Sequence, residues 1–149
     1  MGLTPETLKQ FIEKPFAFVE RMGLKVLELK PGYVKLAVPI AGNENHIGGM
    51  YAGALFTLAE IPGGALYLTT FDVSKFYPII KEMTIRFVAP AKTDVTIEMY
   101  LPKEEASRIE TEADENGKVD YVLEGEVKDA SGVVVAVSKG LYQLRAYGT

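Results

Sequence analysis

Between Ala52 and Leu66 the chain reads as a helix with almost no polar side to turn toward water, and such a helix has to be covered all round. The segment is built from the helix formers Ala, Leu, Phe and Glu and follows a loop, Ala41 to Met50, that is rich in Gly and Asn. Glu60 is the only acid between Glu44 and Asp72. Pro62-Gly63-Gly64 interrupts the pattern, because Pro62 cannot donate to the carbonyl of Leu58. A kink or an early end is therefore expected in the last turns.

The rest of the chain supplies the cover. Thr4-Pro5-Glu6 starts a helix that runs to about Glu13, since Thr caps, Pro suits the first turn and Glu complements the positive end. Pro15 interrupts it, and Phe16, Val19 and Met22 form a second short apolar stripe ending at Gly23, as one kinked helix or two. From Lys25 to Pro39 the period changes to two, with Val34, Leu36 and Val38 on one face and Pro31-Gly32 as the turn of a hairpin. Ile79 to Val88 and Val95 to Leu101 also alternate; Lys81, Met83, Ile85 and Phe87 are expected to share a face. Lys103 to Asn116 is a charged surface helix with Ala106, Ile109 and Ala113 inward and Gly117 as its cap. Val119 to Asp129 and Val133 to Arg145, joined by Ala130-Ser131-Gly132, close the chain as a second hairpin. The expected architecture is one α+β domain over residues 1–149, an antiparallel sheet wrapped around a central hydrophobic helix.

Composition narrows the chemistry. A chain with 48% hydrophobic and 24% charged residues, including eight Tyr and seven Phe, can bury a core without staples. The absence of cysteine excludes disulfides, thiolate metal sites and cysteine nucleophiles, and the single histidine, His46, excludes a clustered-His metal site within one chain. A net charge of −4 argues against wholesale binding of nucleic acid or an anionic membrane. Nowhere does an apolar run reach the roughly 18 residues of a membrane span. Met1 to Glu6 has neither a leader pattern nor a complete myristoylation motif, so a cytoplasmic protein is expected.

The run Asn45-His46-Ile47-Gly48-Gly49-Met50-Tyr51-Ala52-Gly53-Ala54-Leu55-Phe56-Thr57-Leu58-Ala59-Glu60 resembles the signature of hotdog-fold thioesterases of the phenylacetyl-CoA thioesterase-like group. That signature has an Asn, a Gly, a His-Gly-Gly at the start of the central helix, and an Asp or Glu further along it. Asn45 falls on the Asn, Gly48 on the Gly, Tyr51 on the His, Ala52 and Gly53 on the glycine pair and Glu60 on the acid, without gaps. Thr84 to Ala91 resembles the end of the family's third strand, and the closing strands resemble its last hairpin. Two departures stand out: Tyr51-Ala52 replaces His-Gly, and Ile80-Lys81 stands where many members carry a hydroxyl residue, a pattern similar to an uncharacterised branch. The resemblance implies a hotdog fold and hydrolysis of acyl-CoA, with coenzyme A as part of the substrate and no separate cofactor or metal. It also implies active sites between chains of a homodimer, often paired into a homotetramer.

Thioester hydrolysis needs a carboxylate to activate water or attack the carbonyl, and donors for the developing oxyanion. Glu60, inside an apolar helix, is the expected carboxylate, where burial would raise its pKa unless a donor or cation compensates, or else it emerges at the sheet edge into water. Gly53, in the first turn, offers a free N–H as oxyanion donor, or else serves only close packing. Asn45 either positions water or makes an Asx-turn. Tyr51 either donates to the thioester carbonyl or packs at an interface, with Ala52 beside it as a substrate contact. His46 either serves as acid or base or, as a lone loop histidine more often does, is plain surface. Lys81 either snorkels or pairs with a carboxylate, Glu60 among the possibilities. Arg86, together with Lys92, Lys139 and Arg145, is expected to grip phosphates of coenzyme A. A non-catalytic acyl-thioester binder is the alternative; a dehydratase would want a histidine elsewhere than position 46.

Overall fold

The computed structural model describes residues 4–148, so the leader and myristoylation readings of Met1 to Leu3 lie outside the described residues. Thr4 Oγ1 accepts the Thr7 N–H at 3.1 Å and starts α1, Pro5–Glu13. Pro15 separates it from α2, Ala17–Arg21, so the N-terminal segment is two helices. The hairpin β1, Lys25–Lys30, and β2, Tyr33–Val38, turns at Gly32, whose φ of +78° suits a residue without Cβ. A Cβ there would also lie 2.7 Å from the Leu101 carbonyl oxygen. After the loop come α3, Ala52–Thr70; β3, Phe76–Phe87; β4, Val95–Tyr100; α4, Lys103–Asn116; β5, Lys118–Asp129; and β6, Val134–Ala146.

The six strands form one antiparallel sheet in the order β1-β2-β4-β5-β6-β3. β3 begins earlier than its alternation predicts and takes in Pro78, which an edge strand tolerates because the missing N–H need not face a neighbour. The two edges differ. At β1, the Val26 N–H donates to Glu13 Oε2 at 2.8 Å, so α1 closes part of that edge. Among the described residues β3 has no strand on its outer side, and Ile80, Phe87 and the following Val88 are exposed.

α3 packs across one face of the sheet, against all six strands. Leu58 and Leu66 are fully buried among Leu36, Val38, Ile97 and Leu144. The expected weakening at Pro62 is corrected: the helix continues to Thr70, beyond Leu66. Burial outweighs the cost of about 3 kcal/mol that an interior proline carries, and the far end is pinned. Tyr67 donates its hydroxyl to the Phe76 carbonyl at 2.8 Å, and Thr70 Oγ1 accepts the Gly32 N–H at 2.9 Å. Beside the proline, Tyr142 enters from β6, packs against Gly63 and Gly140, and donates its hydroxyl to the Glu60 carbonyl at 3.3 Å. α4 packs Ala106, Ile109 and Ala113 inward and ends at Gly117, φ +83°, as its spacing predicts.

A Cβ at Gly63 would sit 2.4 Å from Cε2 of Tyr142. Gly63→Ala is therefore expected to destabilise the fold by about 1–3 kcal/mol through overpacking, read from the urea midpoint.

Candidate functional site

α3 is covered on the faces that carry Leu55, Leu58, Ala59 and Pro62, and less so along Gly53, Phe56, Thr57, Glu60 and Gly64. These positions recur at three and four residues and so form one stripe down the helix. Glu60 is half-buried in it, with Phe56 and Gly64 one turn away on either side, both exposed. Among the described residues its carboxylate has no hydrogen-bond or ion-pair partner. Loss of water raises its pKa above the ordinary carboxylate value. Tyr142 lies close behind, where burial first and the Glu60 charge second push its hydroxyl pKa up.

At the head of α3, Tyr51 is the N-cap and its side chain makes no capping bond. The Ala54 and Leu55 N–H groups both donate to the Tyr51 carbonyl, at 3.0 and 3.2 Å, whereas those of Ala52 and Gly53 have no protein acceptor among the described residues. The Tyr51 ring lies directly over Gly53, so a Cβ there would be 2.5 Å from Cε2 of Tyr51. Both open N–H groups thus sit at the positive end of a long helix beside an aromatic wall. Thr57 Oγ1 donates to the Gly53 carbonyl at 2.8 Å. A cleft of about 430 Å³ opens here between α2 and α3, with Tyr51, Gly53 and Thr57 on one wall and Phe18, Arg21 and Met22 on the other.

The preceding loop is held by its own chain. Asn45 Oδ1 accepts the N–H groups of Ile47 at 2.9 Å and Gly49 at 3.0 Å, an Asx-type turn, leaving Nδ2 to donate elsewhere. His46 is exposed. The structure therefore brings Tyr51, Ala52 and Gly53 together at the helix head, Asn45 in the loop before it, and Glu60 about two turns below.

Lys81 and Arg86 lie elsewhere. The expected shared face of Lys81 with Met83, Ile85 and Phe87 is corrected by a bulge in β3: Ile80 pairs with Tyr142 and Glu82 with Leu141, and Lys81 is the extra residue. It turns to the sheet's outer face and pairs with Asp120 at 3.0 Å, not with Glu60, holding the Asp120 carboxyl below its usual range. Arg86, exposed and opposite Val137, also faces outward. Arg21, Thr57 and Tyr142 are the neighbours that sequence reading did not single out. Thr57 was accessible from spacing, four residues after Gly53 and three before Glu60; Arg21 and Tyr142 reach α3 only through tertiary packing.

Residues 4–142 match the family described as a domain of unknown function, DUF4442. No curated protein matches the chain. Among solved structures, a Pseudomonas aeruginosa protein of unknown function, described as a probable thioesterase, is 56% identical over 99% of both chains with a TM-score of 0.96. A variant of a Staphylococcus aureus thioesterase is 19% identical over 87% of this chain and 99% of its own, TM-score 0.70. A variant of another P. aeruginosa thioesterase is 13% identical over 98% and 96%, TM-score 0.75; these two likenesses concern the fold alone. A buried helix wrapped by a six-stranded antiparallel sheet, matched along nearly its whole length by these structures, is a hotdog fold, and the chain belongs to the DUF4442 family.

Proposed function

We propose that this protein hydrolyses acyl thioesters, acyl-CoA first among them, at sites built between two copies of the chain. The observation that carries the reading is Glu60, a partly desolvated carboxylate, unpaired among the described residues, on an incompletely covered stripe of an apolar helix. The similar P. aeruginosa protein described as a probable thioesterase supports the same chemistry.

Helix geometry supports the composite site. Gly53 and Glu60 are seven positions apart, about 10.5 Å along the axis, whereas a base and an oxyanion donor for one carbonyl must each lie within about 3 Å of the reacting atoms. That spacing favours taking the two groups from different copies of the helix. Two α3 helices running antiparallel along this stripe would set Glu60 of one copy against Gly53 of the partner subunit, with Gly64 permitting close approach. The open β3 edge and the exposed Ile80, Phe87 and Val88 offer the surface for such pairing.

In this arrangement Glu60 takes a proton from water as the new C–O bond forms, and the open amides at the helix head hold the oxyanion. The C–S bond then breaks and the proton passes to the leaving thiolate, releasing acid and thiol. A carboxylate pKa raised by desolvation makes Glu60 a stronger base than an exposed acid. Attack by the carboxylate itself, through an anhydride, would use the same groups.

Thiol release from a panel of short, aryl and long acyl-CoA compounds tests the reading. Glu60→Ala is expected to lower kcat/KM by roughly a hundredfold or more; full turnover in this variant would remove the mechanism, and tight binding without turnover by the native protein would favour a non-catalytic acyl-thioester binder. Gly53→Val only has to displace the exposed Tyr51 ring, so it should fold but be inactive. Mixing it with Glu60→Ala after subunit exchange should restore about a quarter of native activity, since half the dimers then hold one intact site of two. A stable monomer in sedimentation would count against the composite site. The raised pKa also predicts a stability effect. Ionising Glu60 costs the folded state, and this penalty grows as pH rises from the unfolded carboxylate value through the folded one. Glu60→Gln should therefore raise Tm at neutral pH, with the advantage fading as pH falls below the ordinary carboxylate range.

A further inference from the structure

The cleft at the head of α3 carries a charge that the hydrolytic chemistry does not use. Among the described residues Arg21, itself exposed, is the only charged one lining it, beside Phe18, Met22, Tyr51 and Ala54. No carboxylate lies within ion-pair distance of Arg21 among the described residues. Its place in the last turn of a five-residue helix explains little, because so short a helix has only a small dipole for a cation to complement. The wall that holds it is fixed. Asn43 Nδ2 donates to the carbonyls of Met22 and Pro39, both at 2.8 Å, while the Asn43 carbonyl accepts the Tyr51 N–H at 2.8 Å. That one side chain and its backbone tie the end of α2 to the start of α3. The guanidinium and the open amide of Gly53 thus belong to one cleft, positive at both walls in a chain whose net charge is −4.

We infer that Arg21 forms an anion subsite of this cleft, taking a carboxylate or phosphate oxygen group that the thioester substrate carries away from its reacting carbonyl. The inference rests on the thioesterase reading for the identity of the molecule. Guanidinium suits either anion because it offers paired N–H donors. Two sources present this chemistry: a terminal carboxylate on the acyl group, or a phosphate of the thiol carrier. The outward-facing Arg86 and Lys81 do not share the cleft.

Steady-state kinetics of the native protein, Arg21→Gln and Arg21→Lys separate the outcomes. Succinyl-CoA and butyryl-CoA differ by a terminal carboxylate; the butyryl thioester of N-acetylcysteamine lacks the phosphates of butyryl-CoA together with its pantoyl group and adenosine, and the butyryl thioester of dephospho-CoA, which lacks the 3'-phosphate alone, is run beside it. If the anion is the acyl carboxylate, Arg21→Gln raises the ratio of the KM for succinyl-CoA to that for butyryl-CoA about tenfold or more. If it is a carrier phosphate, the same variant raises the ratio for butyryl-CoA over the N-acetylcysteamine thioester by a similar factor. Arg21→Lys should recover part of either effect, and the effect should shrink with added salt. Neither ratio moving by more than twofold, with the variant folded by circular dichroism, overturns the subsite. Should the native protein hydrolyse none of these, the thioesterase reading fails separately. Calorimetric binding of succinyl-CoA and of free coenzyme A then decides: about tenfold weaker binding of either by Arg21→Gln supports the subsite, and equal binding, or none by the native protein, overturns it.

Discussion

The whole molecule is organised by the need to remove α3 from water. A helix of nineteen residues that is apolar almost all round cannot stand at a surface, and a curled antiparallel sheet is a cover that reaches several of its faces. The fit is close where β6 crosses the helix. Tyr142 occupies space cleared by Gly63 and Gly140, stacks against Tyr121, and bonds to the backbone beside Pro62. Contacts of this kind let a proline remain inside a continuous helix.

Cover by one chain is incomplete, and the incompleteness has chemical content. Among the described residues, the stripe left partly open holds a carboxylate with no cation to offset its desolvation, while the helix head holds two N–H groups with no acceptor. Opposite demands, for a proton at one end and for an anion at the other, are set about two turns apart on one rigid element. The backbone positions of Gly53 and Glu60 lie about 10.5 Å apart along the axis. Together with a β3 edge that has no strand beside it among the described residues, this spacing favours a site completed by a second copy.

Charge elsewhere on the sheet serves the fold. Lys81 and Asp120 pair on the outer face, where exposure limits their contribution. Arg21 differs by facing a cleft without a carboxylate of its own. The two cases show how little residue type says about a cation's work until its surroundings are known.

Much was legible from local pattern. The two-residue period of Val34, Leu36 and Val38, the helical spacing of Ala106, Ile109 and Ala113, the Gly117 cap and the position of Glu60 in an apolar segment all follow from interactions over a few residues, which the chain order itself encodes. The persistence of α3 beyond Pro62 was not legible, because local propensity argues against it and only distant side chains reverse the balance. Nor was the bulge at Lys81, since adding one residue to a strand leaves its alternation plausible while turning a side chain to the other face. The meeting of Arg21 with the head of α3 depends on contacts between elements far apart in sequence. The sequence by itself determined which segments are helices and strands and which carboxylate lies in an apolar helix; tertiary structure alone decided which charges meet which amides, because through-space proximity is set by packing of the whole chain.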